Sequence, residues 1–359
     1  MSLKRVFVSQ AKKFIALLYF KNFIILFFAL EIFFTGIDLM QNFKNLPDSA
    51  NLQILYTTNT FLYFINFTLP LSLIFAMISS IFQIINSNEL VALYSLGVSK
   101  QNIIKPIVFI SLIVTFTYIM LNATGFVKAS EYARNIKKYG EIERETKNLF
   151  LKSHDNYVYI ETLYPIKKEG QNITIFTTKK GDLTGVLKAK KAIFKGNYWE
   201  LFDVKKLIKP TPITKNSKLT FQNIPYVKAL EGFKPEIIDN LFKGRSKLNI
   251  QNSISAIMLL NEQNINTDKI RGNLYLMIFF PLFAPIVILT LFYPMPIMRR
   301  GSNMGMLSSL YIFGVLILWG LFFTLAKIST NGSILPELGI LLPMIILSIA
   351  SIYIINKKH

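Results

Sequence analysis

The 359-residue chain contains no cysteine and only two histidines, one of them the last residue. Disulfide scaffolds and thiolate metal sites are therefore excluded, and a histidine-rich metal or catalytic centre has no ligands to draw on. Acidic residues are scarce: 20 Asp and Glu face 40 Lys and Arg, for a formal charge of +20. Charged residues make up 17% of the chain, against ~25% in soluble domains. Phosphate-loop and nucleophile-elbow motifs are absent, so neither ATP hydrolysis nor acyl transfer by this chain is expected. In their place the sequence is 52% hydrophobic and 14% aromatic, with 31 Phe. So much apolar material excludes disorder, and the positive mean hydropathy indicates a membrane protein.

A helix needs about 20 apolar residues to cross a hydrocarbon core of ~30 Å. Six stretches qualify: 22–43, a span within 52–85, 103–127, 274–294, 304–326 and 334–355. They lack period-2 alternation, which selects helices over a barrel. Pro70, Pro106, Pro281 and Pro285 fall inside them and are expected to kink their helices. Residues 1–20 mix Lys with Phe7, Phe14, Ile15, Leu17 and Leu18, the pattern of an amphipathic surface helix. The run that follows is too long for a cleaved signal, so it is expected to be an uncleaved first span.

Short-loop charge sets the orientation. Lys4, Arg5, Lys12, Lys13, Lys21, Lys100, Lys105, Arg299, Arg300, Lys357 and Lys358 flank one side, and only Lys44 and Lys327 the other. Both termini are expected in the cytoplasm, with the segment between the two triplets of spans on the far side. The expected organisation is a membrane half over 1–127, an extracytoplasmic domain over 128–270, and a second membrane half over 271–359.

Within the middle segment, 128–145 reads as a helix continuing the third span. From Leu149 to Tyr226 the pattern is β: 157–160, 172–176, and 186–194 with 198–208 flanking Gly196-Asn197, a two-residue hairpin signal. Five or more short strands point to a small sandwich or jelly roll. The pattern turns helical again over 252–264. The whole segment carries 26 Lys and Arg against 15 Asp and Glu. On this side of the membrane that charge fits a phosphorylated glycolipid or an anionic surface rather than nucleic acid. His154, in a polar loop, reads as a surface histidine.

The loop between spans two and three, 86–100, is more than a turn. Asn86 with Glu89 fits a capping box; Leu90, Leu93 and Tyr94 share a helical face; Gly97 fits a left-handed helix stop; and Ser99 can cap the next helix. A short transverse helix of this kind is something an ATPase subunit can grip and push. With its Glu-Leu-Val-Ala-Leu and Gly-Val-Ser-Lys, it resembles the coupling helix of the lipopolysaccharide-export permeases, the LptF/LptG type. The layout of three spans, a β-rich insertion and three spans is also similar to that family. Asn156-Tyr-Val-Tyr-Ile-Glu161 and Tyr198-Trp-Glu-Leu-Phe-Asp-Val204 look more like the LptG member. Leu335-Pro336 and Leu341-Leu-Pro343 resemble the family's last loop and span.

The resemblance implies a polytopic six-helix membrane protein carrying a periplasmic β-jelly-roll-like domain, in the bacterial inner membrane. It implies a second homologous permease, a cytoplasmic ABC ATPase dimer that holds the ATP and Mg, and a single-span bitopic protein leading to a periplasmic bridge. The cargo would be lipopolysaccharide or lipooligosaccharide, and this chain would need no cofactor. Glu89, Leu90, Ala92, Leu93, Leu96 and Gly97 would contact the ATPase. Phe33, Phe34, Phe61, Phe64, Phe67, Trp319, Phe322 and Phe323 would line an acyl-chain cavity, with Glu31, Asp38 and Lys44 as its polar members. Where family members carry several Lys at the outer end of span one, this chain has Lys44 and the opposing charge of Asp38. Lys327 is expected to snorkel. Two rivals are a lipoprotein-release or efflux-type permease, which the 3+3 layout disfavours, and a membrane scaffold or sensor without an ATPase.

Overall fold

The computed structural model describes residues 3–142, 145–153, 156–179, 182–210, 219–243, 248–298 and 303–357, leaving aside the side chains of 3–6 and 240–243. His154, Arg299, Arg300 and Lys358, and the side chains of Lys4 and Arg5, lie outside the described residues. In chain order the elements are α1 (Leu3–Asn42), α2 (Ala50–Asn86), α3 (Glu89–Ser95), α4 (Lys100–Leu121), α5 (Ala129–Tyr139), β1 (Thr146–Ser153), β2 (Asn156–Tyr164), β3 (Glu169–Lys179), β4 (Asp182–Lys195), β5 (Tyr198–Ile208), β6 (Thr220–Ala229), α6 (Pro235–Lys243), α7 (Ile250–Asn261), α8 (Asp268–Ile278), α9 (Phe283–Phe292), α10 (Met304–Thr330) and α11 (Leu342–Lys357). A π-helical turn, Glu337–Leu341, leads into α11. Contacts divide the chain into two compact units, Met1–Ser130 with Asp268–His359, and Glu131–Thr267.

The first unit is the membrane part. Among the described residues six helical stretches are long and apolar enough to cross a bilayer: Phe7–Asn45, Ala50–Asn86, Lys100–Leu121, Asp268–Phe292, Met304–Thr330 and Glu337–Lys357. Their core is the second half of α2 packed on α9, α4 and the first half of α1. The expected surface helix over 1–20 is not a separate element. α1 runs unbroken for 40 residues, ~60 Å at 1.5 Å per residue, because no Gly or Pro interrupts it before Gly36. Ala11, Ile15, Tyr19 and Phe23, four residues apart, form a buried stripe on that length, so it packs along neighbouring helices.

Span three differs from expectation in the other direction. α4 ends at Leu121, a turn follows, and Thr124 caps a short 3-10 helix, Gly125–Lys128, through a bond from the Phe126 N–H. α5 is therefore a separate helix, closed by Gly140 in the left-handed region at φ 69°. In span four, Pro281 lies in a 3-10 turn, Phe280–Leu282, that separates α8 from α9. Pro70 and Pro106 stay inside continuous helices.

The second unit holds the sheet. Six antiparallel strands follow one another in the order β1-β2-β3-β4-β5-β6. This is a plain meander, and the crossovers that define jelly-roll connectivity do not occur among the described residues. The Gly196-Asn197 hairpin forms as read, with Lys195 opposite Tyr198 and Gly196 at φ 67°. The sheet is creased along one line. Asn148, Glu161, Asn172, Lys190, Asp203 and Pro225, one from each strand, fall out of the paired register side by side. Asn148, Asn172 and Asp203, on alternate strands, have φ of 56°, 51° and 54°, a conformation that Asn and Asp tolerate best among side-chain-bearing residues.

At the crease the buried positions step by three instead of two on β1, β3, β4 and β5: Thr146 to Leu149, Gly170 to Ile173, Ala189 to Ala192, and Leu201 to Val204; β2 buries both Thr162 and Leu163. Pairing resumes in the same register beyond the line, so this is a local bend without an inserted residue. Repeated across the meander, it bends one sheet around a single core that includes Val158, Ile175, Leu201 and the fully buried Trp199. The Trp199 indole donates to the Phe233 carbonyl at 2.7 Å, and α6 packs on β1 and β2.

Candidate functional site

The segment 86–100 is shaped by two left-handed residues, Asn88 and Gly97. α2 continues to Asn86 because Ile84 and Ile85 are still fully buried. The turn is compressed into Ser87 and Asn88, and Asn88 takes φ 58°. The expected capping box is therefore not formed: Asn86 ends α2, Glu89 is the first residue of α3, and the Asn88 side chain makes no capping bond. The Gly97 stop does form. At φ 77° it lets its own N–H bond to the Tyr94 carbonyl at 2.9 Å and the Val98 N–H to the Leu93 carbonyl at 3.0 Å, the pair of bonds that defines a Schellman end. Ser99 occupies the cap position of α4, but its hydroxyl accepts from the Asn102 side chain instead of a backbone N–H.

A helix of seven residues cannot stand alone. Here Leu90 and Val98 are buried in the bundle core, with Leu93 and Tyr94 packed against it. Burial pushes the Tyr94 phenol up to about 12. Of the six residues expected to meet an ATPase, Glu89, Ala92, Leu96 and Gly97 are exposed, while Leu90 is buried and Leu93 half-buried. α3 therefore presents one free face and is rooted by the other, so a load on Glu89 or Leu96 passes into α2 and α4.

The aromatic candidates divide. Phe34 of α1 stacks on Phe64 of α2 at 5.8 Å, and Phe64 meets Phe67 at 6.3 Å. Phe67 stands edge-on to Phe323 at 5.3 Å, and Phe323 stacks on Trp319 at 5.1 Å and 6°. Phe322 packs on Phe283 at 5.4 Å. Through Phe280, which meets both Phe283 and Phe323, these rings form a continuous wall across α1, α2, α10 and α9. Phe33 touches it only edge-on through Phe34 and is 58% exposed; half-buried Phe61 stands outside the described ring contacts. Sequence reasoning missed Tyr63, Phe280 and Phe283, whose rings extend the wall, because apolar runs carry no phase that identifies a neighbour. Lys327 holds its ammonium 5.3 Å from the centre of the Phe323 ring, a cation–π arrangement. The Trp319 indole N–H is buried and makes no hydrogen bond among the described residues.

The polar candidates are not brought together. Asp38 accepts a hydrogen bond from the Tyr56 hydroxyl at 2.5 Å, and Lys44 is exposed on the 3-10 turn Phe43–Asn45. Glu31 is fully buried, and the Thr68 hydroxyl donates to it. A carboxylate at such a depth costs about 2.5–3.5 kcal/mol on insertion scales.

Six apolar helices among the described residues, with a sheet domain inserted in sequence between the third and fourth, make this a multi-pass helical membrane protein. Its residues 13–357 match the family described as Lipopolysaccharide export system permease LptF/LptG, and the chain belongs to that family. It is thus a permease of lipopolysaccharide export in the inner membrane. The match is to the joint family and does not separate the LptF from the LptG position. No curated protein matches the chain.

Proposed function

We propose that this chain is one moving wall of an ATP-driven exporter that extracts lipopolysaccharide or lipooligosaccharide from the inner membrane. Its termini and α3 lie on the cytoplasmic side, and the creased sheet lies in the periplasm. ATP and Mg belong to a cytoplasmic ATPase dimer that grips the exposed face of α3. A second homologous permease completes the cavity, and a single-span bitopic protein leads to the bridge. This chain contributes shape change rather than bond chemistry and needs no cofactor of its own.

The observation that carries this reading is the split of α3 into a buried root and an exposed face. ATPase closure pushes Glu89, Ala92, Leu96 and Gly97, and the root at Leu90 and Val98 passes that push into α2 and α4. α2 also carries Phe64 and Phe67, so the motion reaches the aromatic wall directly. Acyl chains lie on the wall, where burial is worth ~25 cal/mol per Å², and Lys327 faces a lipid phosphate. The released lipid leaves by way of the sheet domain.

Affinity purification from membranes tests the reading. An ATPase co-elutes with the chain, and its recovery falls for Glu89→Lys while chain yield is unchanged. An ATPase-free preparation, indifferent to that substitution, contradicts it and favours a scaffold.

A further inference from the structure

Glu31 lies well inside the first span and is completely buried. Its Oε2 accepts from the Thr68 hydroxyl at 2.5 Å, but its Oε1 is buried and makes no hydrogen bond among the described residues. Thr35 is one helical turn further along the same face of α1. It is 6% exposed, and its hydroxyl is likewise buried and unpaired among the described residues. The Thr68 hydroxyl also lies 3.1 Å from the Phe64 carbonyl. Buried polar atoms are almost always satisfied, and an exception calls for a ligand, an ion or a water. Here two unsatisfied oxygens lie one turn apart on α1, and the carboxylate that carries the first is bonded to a hydroxyl of α2.

We propose that Glu31, Thr35 and Thr68 form a binding site for a monovalent hard cation of the sodium class. The donor set is all oxygen, carboxylate and hydroxyl, which suits hard cations and offers nothing to the softer metals that prefer nitrogen or sulfur. A single carboxylate balances one positive charge. A divalent ion would leave an uncompensated charge in a low-dielectric setting, which is costly. The bound ion neutralises Glu31 and joins α1 to α2 one turn from the Phe34–Phe64 stack, so it holds the two helices of the wall in register. The proposal stands apart from the export reading and does not depend on it.

The test uses the full-length chain purified in detergent. Thermal unfolding is followed at equal ionic strength in sodium chloride and in choline chloride, and sodium-22 binding is measured at equilibrium. The expected result is one sodium bound per chain and an apparent melting temperature several degrees higher in sodium than in choline. In Glu31→Gln, whose amide oxygen still accepts from Thr68, both the shift and the binding are lost. In Thr35→Val the apparent affinity falls several-fold, and this variant carries the test if Glu31→Gln does not fold. Equal melting in the two salts, no sodium-22 bound by the parent chain, or an undiminished shift in Glu31→Gln overturns the proposal.

Discussion

Arg271 Nη1 donates to Glu337 Oε1 at 2.8 Å, tying the first turn of α8 to the π-helical turn before α11. Tyr275 donates to the same oxygen at 3.1 Å, and Arg271 also pairs with Asp268. Beside this knot, Gly339 of the π turn and Gly272 of α8 both lie against Ser329 of α10, so close that an added Cβ would meet its atoms. Three helices meet there because two positions lack side chains.

Gly339→Ala is therefore expected to destabilise the chain by about 1–3 kcal/mol, the usual cost of overpacking. Ser329→Ala removes the hydroxyl that the new methyl would strike and should recover part of that loss in the double variant. Thermal unfolding of the four chains of the cycle measures the coupling. Arg271→Gln should cost less, on the order of 1 kcal/mol, because the pair is partly exposed.

The crease in the sheet predicts an unusual tolerance. Asp203 is held at φ 54°, where glycine is at ease and a β-branched residue is not. Asp203→Gly should leave stability near the parent value, whereas Asp203→Val should cost about 1–2 kcal/mol. Chemical denaturation of the full chain distinguishes the two; equal losses would mean that the backbone conformation is not what the position selects.

The long apolar runs made the six crossings legible, since length and composition alone decide them. Gly97 and Gly196-Asn197 were legible because a left-handed residue has a strong local preference. The end of α2 was not. Whether Asn86 starts one helix or ends another depends on Ile84 and Ile85 being buried, which is a tertiary fact. The meander and its crease were missed as such, although the three-residue steps, as in Leu201 to Val204, are visible in the sequence once period-2 alternation is not forced through them. The partners of Glu31 and Lys327 lie on other helices or a turn away, and no local pattern announces them.

Glu89 is exposed at the first residue of α3, so reversing its charge should leave the fold intact. Glu89→Lys is expected to lower ATPase recovery roughly tenfold, the equivalent of ~1.4 kcal/mol, with the thermal unfolding of the chain unchanged. Leu90→Asp should behave differently, unfolding the root of α3 and lowering the melting temperature itself.

Lys327→Gln is expected to preserve the helix bundle and to reduce capture of a phosphorylated glycolipid several-fold, measured with the purified complex in lipid nanodiscs. The difference between parent and variant should shrink as salt is raised, because the contribution is electrostatic. A salt-independent difference would assign the effect to packing against Phe323 instead.

The most direct measurement places a photoreactive residue at Phe67, on the α2 face of the aromatic wall, and quantifies its glycolipid adduct in the assembled complex with and without ATP. The account predicts an adduct in the absence of nucleotide, its loss on ATP hydrolysis, and its persistence under ATP when Glu89→Lys is present. An adduct that ignores ATP, or one whose ATP response survives Glu89→Lys intact, would contradict a wall driven through α3.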